Sequence, residues 1–414
     1  MPHPPPPHYQ IQRLDWTDPD LGSIDMPKGK LELRAGFGSG LTRRQSDPPG
    51  TLWAVCDRGP NLKLKDAAEL YGLDWCRDYD GPKDAKIMPR LDLGPAIAEL
   101  RVAGDGVELI RTLSLTGKGA EPICGLPIPT GGHAECEPAL DLEGNRLEPD
   151  PDGADTEGIA ARPDGGFWLG EEYGPSLIKV DAEGRVQLRL VPEGVELRNA
   201  ACPVKAVLPA LAAKRKLNRG FEAVSLSADG KWLFLAFQSP LAHPDNKGHE
   251  NGRHVRIWLL DAETGEAAAQ YLYPLDPSQT FRRDVAKEDV KLCDVKVSEI
   301  LHIGEDTLLV LERISATTKL YRVKLSSGCA LPQEHFTLEA RPTVEELSAG
   351  EHMPLPVLAK VLIFNSDNHP EFDDDMEGMA LLSPSELVMV TDNDFGVTGG
   401  RTGFWRLRFD APLA

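Results

Sequence analysis

The stretch that decides the fold is Asp155-Thr-Glu-Gly-Ile-Ala-Ala, a turn at Pro163-Asp-Gly-Gly, then Phe167-Trp-Leu-Gly-Glu-Glu-Tyr, because the chain repeats it. A second copy runs Gly220-Phe-Glu-Ala-Val-Ser-Leu, Ala228-Asp-Gly-Lys, Trp232-Leu-Phe-Leu-Ala-Phe-Gln. A third runs Val297-Ser-Glu-Ile-Leu-His-Ile, Gly304-Glu-Asp, Thr307-Leu-Leu-Val-Leu-Glu-Arg. A fourth runs Asp375-Met-Glu-Gly-Met-Ala-Leu, Ser383-Pro-Ser, Glu386-Leu-Val-Met-Val-Thr-Asp-Asn. Each is strand, tight turn, strand, with a Glu opening the first strand, and three of the four second strands close on a carboxylate. A further strand follows each time, at Leu177–Val180, Val255–Leu260, Lys319–Val323 and Phe404–Phe409, and two copies add a fourth at Val186–Val191 and Ala267–Leu275.

Tandem four-stranded antiparallel units each leave an apolar face that only a neighbouring unit covers, which is the logic of propeller blades. A weaker copy opens the chain, with its hairpin at Leu31–Gly38 and Leu52–Asp57 and outer strands at Ile97–Val102 and Val107–Leu115. The expectation is therefore an all-β chain: a β-propeller of five to six four-stranded antiparallel blades around a central channel, the sixth hidden in insertions near 116–154 or 327–374. A β-sandwich with added elements is the alternative, but sandwiches do not require repeated hairpins. Residues 1–30 read as a Pro-rich leader, in which Tyr9–Leu14 is a possible ring-closing strand, and 31–414 as a single propeller domain. Helical periodicity is confined to Lys63–Tyr71 and Cys202–Lys216.

The start of one strand and the end of its hairpin partner share a sheet edge. Glu157 then lies beside Glu171 and Glu172, Glu222 beside Gln238, Glu299 beside Glu312, and Glu377 beside Asp392, Asn393 and Asp394, while the first unit ends in Asp57-Arg58-Gly59-Pro60-Asn61. If these hairpins run along the axis, the acids converge on one face. A ring of carboxylate and amide oxygens suits a hard cation, calcium above all. The expected metal ligands are Asp57, Glu157, Glu222, Glu377 and Asp392. The bland alternative is turn chemistry, which accounts for Asp164, Asp181, Asp229 and Asp261. The expected proton carriers are His133 and Glu172, with Arg58 orienting an anionic group; Asn61, Glu171, Tyr173, Arg313 and Asn393 are expected to meet substrate. No nucleophile elbow, P-loop, dinucleotide fingerprint, zincin motif or EF-hand loop occurs, so no organic cofactor is expected and any calcium is held by ligands far apart in sequence.

Across 414 residues, 45 Lys and Arg stand against 65 Asp and Glu, a formal net charge of −20. So acidic a chain without a basic stripe is repelled by phosphate backbones, which excludes nucleic acid as a partner. The longest apolar runs are strand-sized, which argues against a membrane span. Seven cysteines, an odd number without C-x-x-C spacing, fit idle thiols and a cytoplasmic location, or a periplasmic or secreted one if an export signal has been removed. A small-molecule substrate, anionic or ester, is the expected partner; the oligomeric state is left open.

At Asp57-Arg-Gly-Pro, Asp155-Thr-Glu-Gly, Glu171-Glu-Tyr-Gly-Pro, Gly220-Phe-Glu, Met376-Glu-Gly and Asp392-Asn-Asp the chain resembles the phytase-like family described by esterase-like activity. The resemblance implies a metal-dependent hydrolase, or a relative of one, on a propeller. Gln238 departs from it, standing where the other units carry an acid. The expected function is hydrolysis of phosphoester or carboxylic ester bonds at the axial metal. The rivals are a lactonase or sugar-acid hydrolase on the same metal, and a binding propeller whose cation only staples the blades.

Overall fold

The computed structural model describes residues 7–129 and 136–413. Alternating β-branched and aromatic runs between Asp-Gly and Glu-Gly turns fold as antiparallel sheets, and five sheets of four or more strands are present among the described residues. The first pairs Gly40–Thr42, Thr51–Val55, Ala96–Ala103 and Gly106–Ser114 in that order. The second begins with Thr156–Ala161, Phe167–Glu171, Ser176–Val180 and Val186–Pro192. The third comprises Phe221–Leu226, Trp232–Phe237, His254–Asp261 and Ala267–Pro274, and the fourth Lys296–Gly304, Thr307–Arg313, Thr318–Lys324 and Lys360–Asn365. The fifth comprises Met376–Ser383, Glu386–Thr391 and Phe404–Phe409, and its outer edge is Tyr9–Leu14, paired antiparallel with Phe404–Phe409.

The sheets are set like the blades of a propeller. The first strand of each packs on the first strand of the next, from the first sheet through to the fifth, and that of the fifth packs back on that of the first. Approach at the axis is close. A Cβ on Gly158 would lie 2.7 Å from the Glu222 carbonyl oxygen, and one on Gly40 would lie 2.6 Å from that of Glu157. Backbone cannot yield there, so glycine is required. Apolar faces fill the space between sheets: the rings of Phe221, Phe237 and Trp258 meet tilted or edge-on with centroids 4.8–5.9 Å apart, and Phe364, Phe372 and Trp405 meet tilted at 5.0 and 4.7 Å between the fourth and fifth sheets.

Three local expectations need correction. Cys202–Lys216 is not a helix: Val204–Leu208 is a strand added parallel to Val186–Pro192, followed by a 3₁₀ turn at Ala210–Lys214. Pro203 and Pro209 bracket that segment, and Val204 and Val207 favour extended backbone. The first hairpin uses Gly40–Thr42, whereas Lys30–Arg34 pairs with Asp20–Asp25 in a separate two-stranded ribbon. Gly36 and Gly38 separate the two, and a Cβ on Gly38 would lie 2.2 Å from the Thr391 carbonyl oxygen. The insertions hold no further four-stranded sheet among the described residues: Ala139–Leu140 joins a small three-stranded sheet, and Lys360–Asn365 completes the fourth sheet.

Candidate functional site

Pairing registers show how the acids reach the axis. In the second to fifth sheets the first strand carries a β-bulge at one equivalent place, between Thr156 and Gly158, Phe221 and Ala223, Val297 and Glu299, and Met376 and Gly378. The extra residues are Glu157, Glu222, Ser298 and Glu377. A bulged residue has no partner opposite it and its side chain is re-aimed. Three of the four bulges therefore present Glu, and the fourth Ser298. The alignment of the third repeat on Glu299 was one residue out. Glu299 spans the channel instead, accepting from the Leu41 amide of the first sheet at 3.4 Å. Glu312 pairs with Val297 and is buried among Tyr273, Lys360 and the Asp276 amide at 2.6, 2.7 and 2.8 Å.

The position closing each second strand faces the same mouth: Asp57, Glu172, Gln238, Arg313 and Asp392. These residues line a cavity of about 390 Å³ together with Glu157, Glu222 and Glu377. Its charge is polarised by sheet. The fifth, first and second sheets are neighbours and supply two groups of carboxylates, Asp57 with Asp392 and Asp394, and Asp155 with Glu157 and Glu172, each with one oxygen per residue within 4.8 Å of the others. The fourth sheet supplies Lys296 and Arg313, and the loop before the third supplies Arg219.

Arg58 braces the acidic sector. It is buried, donates to Glu137 at 2.6 Å and to Asn218 at 2.5 Å, pairs with Asp155 at 2.7 Å, and lies over the Tyr173 ring at 5.2 Å. Arg58, with Lys86 at 3.5 Å from Glu137, does not neutralise the sector. Burial, then the Asp155 charge, holds Asp57, Glu157 and Glu172 well above the usual carboxylate range. Asp392 is raised by burial and by Asp394. Glu157 has no hydrogen-bond or ion-pair partner among the described residues, and its oxygens face the cavity. An all-oxygen donor set carrying uncompensated negative charge fits a hard cation such as calcium.

The basic sector is unbalanced in the opposite sense. Burial, reinforced by Arg313 and Arg219, pushes the Lys296 ammonium down to about 8. No hydrogen bond or ion pair engages that ammonium among the described residues, and a buried Arg219 nitrogen has no partner. Glu377 accepts from Arg313, yet burial and the neighbouring Glu222 outweigh that pull and hold it up, at about 8.

Of the expected site residues, Asp57, Arg58, Asn61, Glu157, Glu172, Glu222, Arg313, Glu377 and Asp392 line this cavity. Glu222 is bound by Gln238 and Glu377 by Arg313, and neither belongs to the two carboxylate groups. Glu171 does not reach the cavity: strand alternation turns it inward, where it pairs with Arg189 at 2.9 Å and accepts from Ser176 at 2.7 Å. Tyr173 is buried, with its hydroxyl on the Gly125 carbonyl at 2.7 Å, and Asn393 donates to the Ala35 carbonyl at 2.9 Å, so both brace loops. His133 lies outside the described residues. Asp155 and Asp394 join the carboxylate groups although neither was expected as a ligand; both stood in the quoted motifs. Lys296 had no such signal, because it occupies in the fourth sheet the place that Asp155 holds in the second. All seven cysteines are free.

A family model described as phytase-like, esterase-like activity of phytase, matches residues 34–395. An uncharacterized secreted protein of Arthroderma benhamiae is 25% identical over 321 residues, covering 68% of this chain and 59% of that protein, so the match spans less than two thirds of that relative. Its description lends no support to a cytoplasmic location for this chain. No helix among the described residues is long and apolar enough to cross a membrane. Among solved structures, the major Malassezia sympodialis allergen Mala s 1 matches with a TM-score of 0.36 and 9% identity, over 94% of this chain and 82% of that one. The Cps50 (Swd1) β-propeller domain of Myceliophteria thermophila matches with a TM-score of 0.34 and 13% identity, over 94% and 99%. Likeness at that level carries no weight here.

Proposed function

The chain belongs to the phytase-like family, and from its site we propose a calcium-dependent hydrolase of phosphoester or carboxylic ester bonds, acting at the acidic mouth of a closed ring of five blades. The observation that supports this reading is the polarised cavity, with unneutralised carboxylates across from Lys296 and Arg219. Asp57, Asp392 and Asp394, with Glu157 and Glu172 beside them, would hold the cation. When bound, calcium supplies polarisation of the ester oxygen and a lowered pKa for water.

The remaining work falls to the chain's own groups. Lys296 and Arg219 hold an anionic group of the substrate, replacing the counter-ion they lack. Arg58 keeps Asp155 and Glu172 in place rather than meeting substrate, since both its terminal nitrogens are already engaged by Glu137, Asn218 and Asp155. Glu172 stands at the acidic sector as proton acceptor, and Glu377, held protonated near neutrality, stands at the basic sector as donor to a leaving group.

The test is to strip the protein with a chelator, restore calcium, and assay nitrophenyl phosphate, a nitrophenyl phosphodiester, nitrophenyl acetate and a lactone. Absence of calcium-dependent turnover on all four would sink the proposal. A lactonase is the second reading, and phosphate competition separates the two: the basic sector predicts that phosphate inhibits a phosphoesterase and leaves a lactonase unaffected.

A further inference from the structure

The channel has a second mouth, where the first strands run into their hairpin turns. It opens on a cavity of about 540 Å³ lined by residues of all five sheets. Glu299, reaching across to the Leu41 amide, lies between this cavity and the acidic one. The two mouths differ in chemistry. Nine carboxylates line the first. Among the described residues no Asp or Glu lines the second, in a chain whose formal net charge is −20.

Ala160, Leu226, Leu301, Ile303 and Leu381 supply an apolar side to its wall, beside hydroxyls such as Ser225 and Ser227. His302 adds a flat face, stacked on Phe234 at 4.8 Å with its Nε2 on the Glu305 carbonyl at 2.8 Å. Two arginines stand at the rim. Arg44 is committed: it pairs with Asp47 at 2.9 Å, donates to the carbonyls of Arg162 and Gly165 at 2.7 and 2.6 Å, and lies over Trp53 and Phe167. Arg43, which follows the strand Gly40–Thr42 directly, lines the same cavity. Arg43 has no ion pair or side-chain hydrogen bond among the described residues, and its Nε is buried without a partner.

We propose that this second mouth is a ligand site for a small organic anion, a carboxylate on an alkyl or aryl body, with Arg43 as its counter-ion. A buried guanidinium nitrogen without a partner loses hydration and gains nothing in return. A carboxylate restores it with two charge-assisted hydrogen bonds. Among the described residues no acid lines the cavity to compete for Arg43, and its apolar side chains take the body of the ligand. The size lies within the usual range of small-molecule sites.

Titrating the full-length protein with octanoate by calorimetry tests this. Saturable binding is expected, weakened about tenfold or more by Arg43→Gln, largely retained by Arg43→Lys, and about tenfold weaker for 1-octanol, which has the tail without the charge. Inorganic phosphate should not displace octanoate, since it addresses the other mouth. If Arg43→Gln loses its native near-ultraviolet circular dichroism, Leu301→Trp, which fills the cavity, takes its place and should abolish binding. No saturable binding of octanoate, equal binding by octanol, or binding that survives both Arg43→Gln and Leu301→Trp would overturn the proposal.

Discussion

One backbone irregularity decides which side chains matter. Glu157, Glu222 and Glu377 are bulge residues and face the axis, whereas Glu171, adjacent to the site residue Glu172, is turned into an ion pair with Arg189. These neighbours have separable phenotypes. Arg189→Met leaves a buried carboxylate uncompensated and should destabilise the fold by about 3–5 kcal/mol, measured by urea unfolding. Glu157→Gln removes a carboxylate that makes no hydrogen bond or ion pair among the described residues; it should leave metal-free stability unchanged or raised, while reducing the rise in melting temperature that calcium confers. In the basic sector, Lys296→Met should raise KM about tenfold or more for an anionic substrate and leave a neutral ester unaffected, which steady-state kinetics on both reports.

At the scale of elements, chain closure depends on one strand. Tyr9–Leu14 covers the edge that Phe404–Phe409 would otherwise expose, and Tyr9 packs edge-on against Phe364 at 5.3 Å. Deleting residues 1–15 should lower the unfolding midpoint and produce dimers or aggregates on size-exclusion chromatography, because an unpaired edge is a template for another chain. The hairpins of the second to fifth sheets were legible because period-two alternation and Asp-Gly turns are local signals. The first was displaced because Leu31–Gly38 carries the same alternation, and only the close approach of Gly38 and Gly40 to neighbouring backbones selects Gly40–Thr42. The helical reading of 202–216 failed because a free edge beside Val186–Pro192 accepts a parallel strand, a long-range choice outweighing local composition.

For the whole molecule, the gathered charge gives a pH signature. Burial and Glu222 raise Glu377 from 4.5 to about 8, so between those values the folded protein holds a proton that the unfolded chain has released. Stability then falls as pH rises across that window. Lys296 is shifted the other way, from 10.5 to about 8, so its ionisation cost is present below pH 8 and relieved as pH climbs towards 10.5. Asp57, Glu157, Glu172 and Asp392, also held up by burial, add to the same slope, so metal-free protein should melt at progressively lower temperature from pH 5 to 8, and calcium should reduce the share of that slope that the acidic sector contributes. A profile that is flat without metal contradicts the assignment.

By itself the sequence determined the repeat, the hairpins and third strands of the second to fifth sheets and the convergence of Asp57, Glu157, Glu172 and Asp392, because turn chemistry and alternation are written locally. Tertiary structure alone decided that Glu299 and Glu312 stand outside the site, that Asp155 and Asp394 join the carboxylate groups, and that Lys296 and Arg219 face the acids. Those outcomes depend on bulge register and on which sheets are neighbours around the axis, and both are set by backbone packing between residues far apart in the chain.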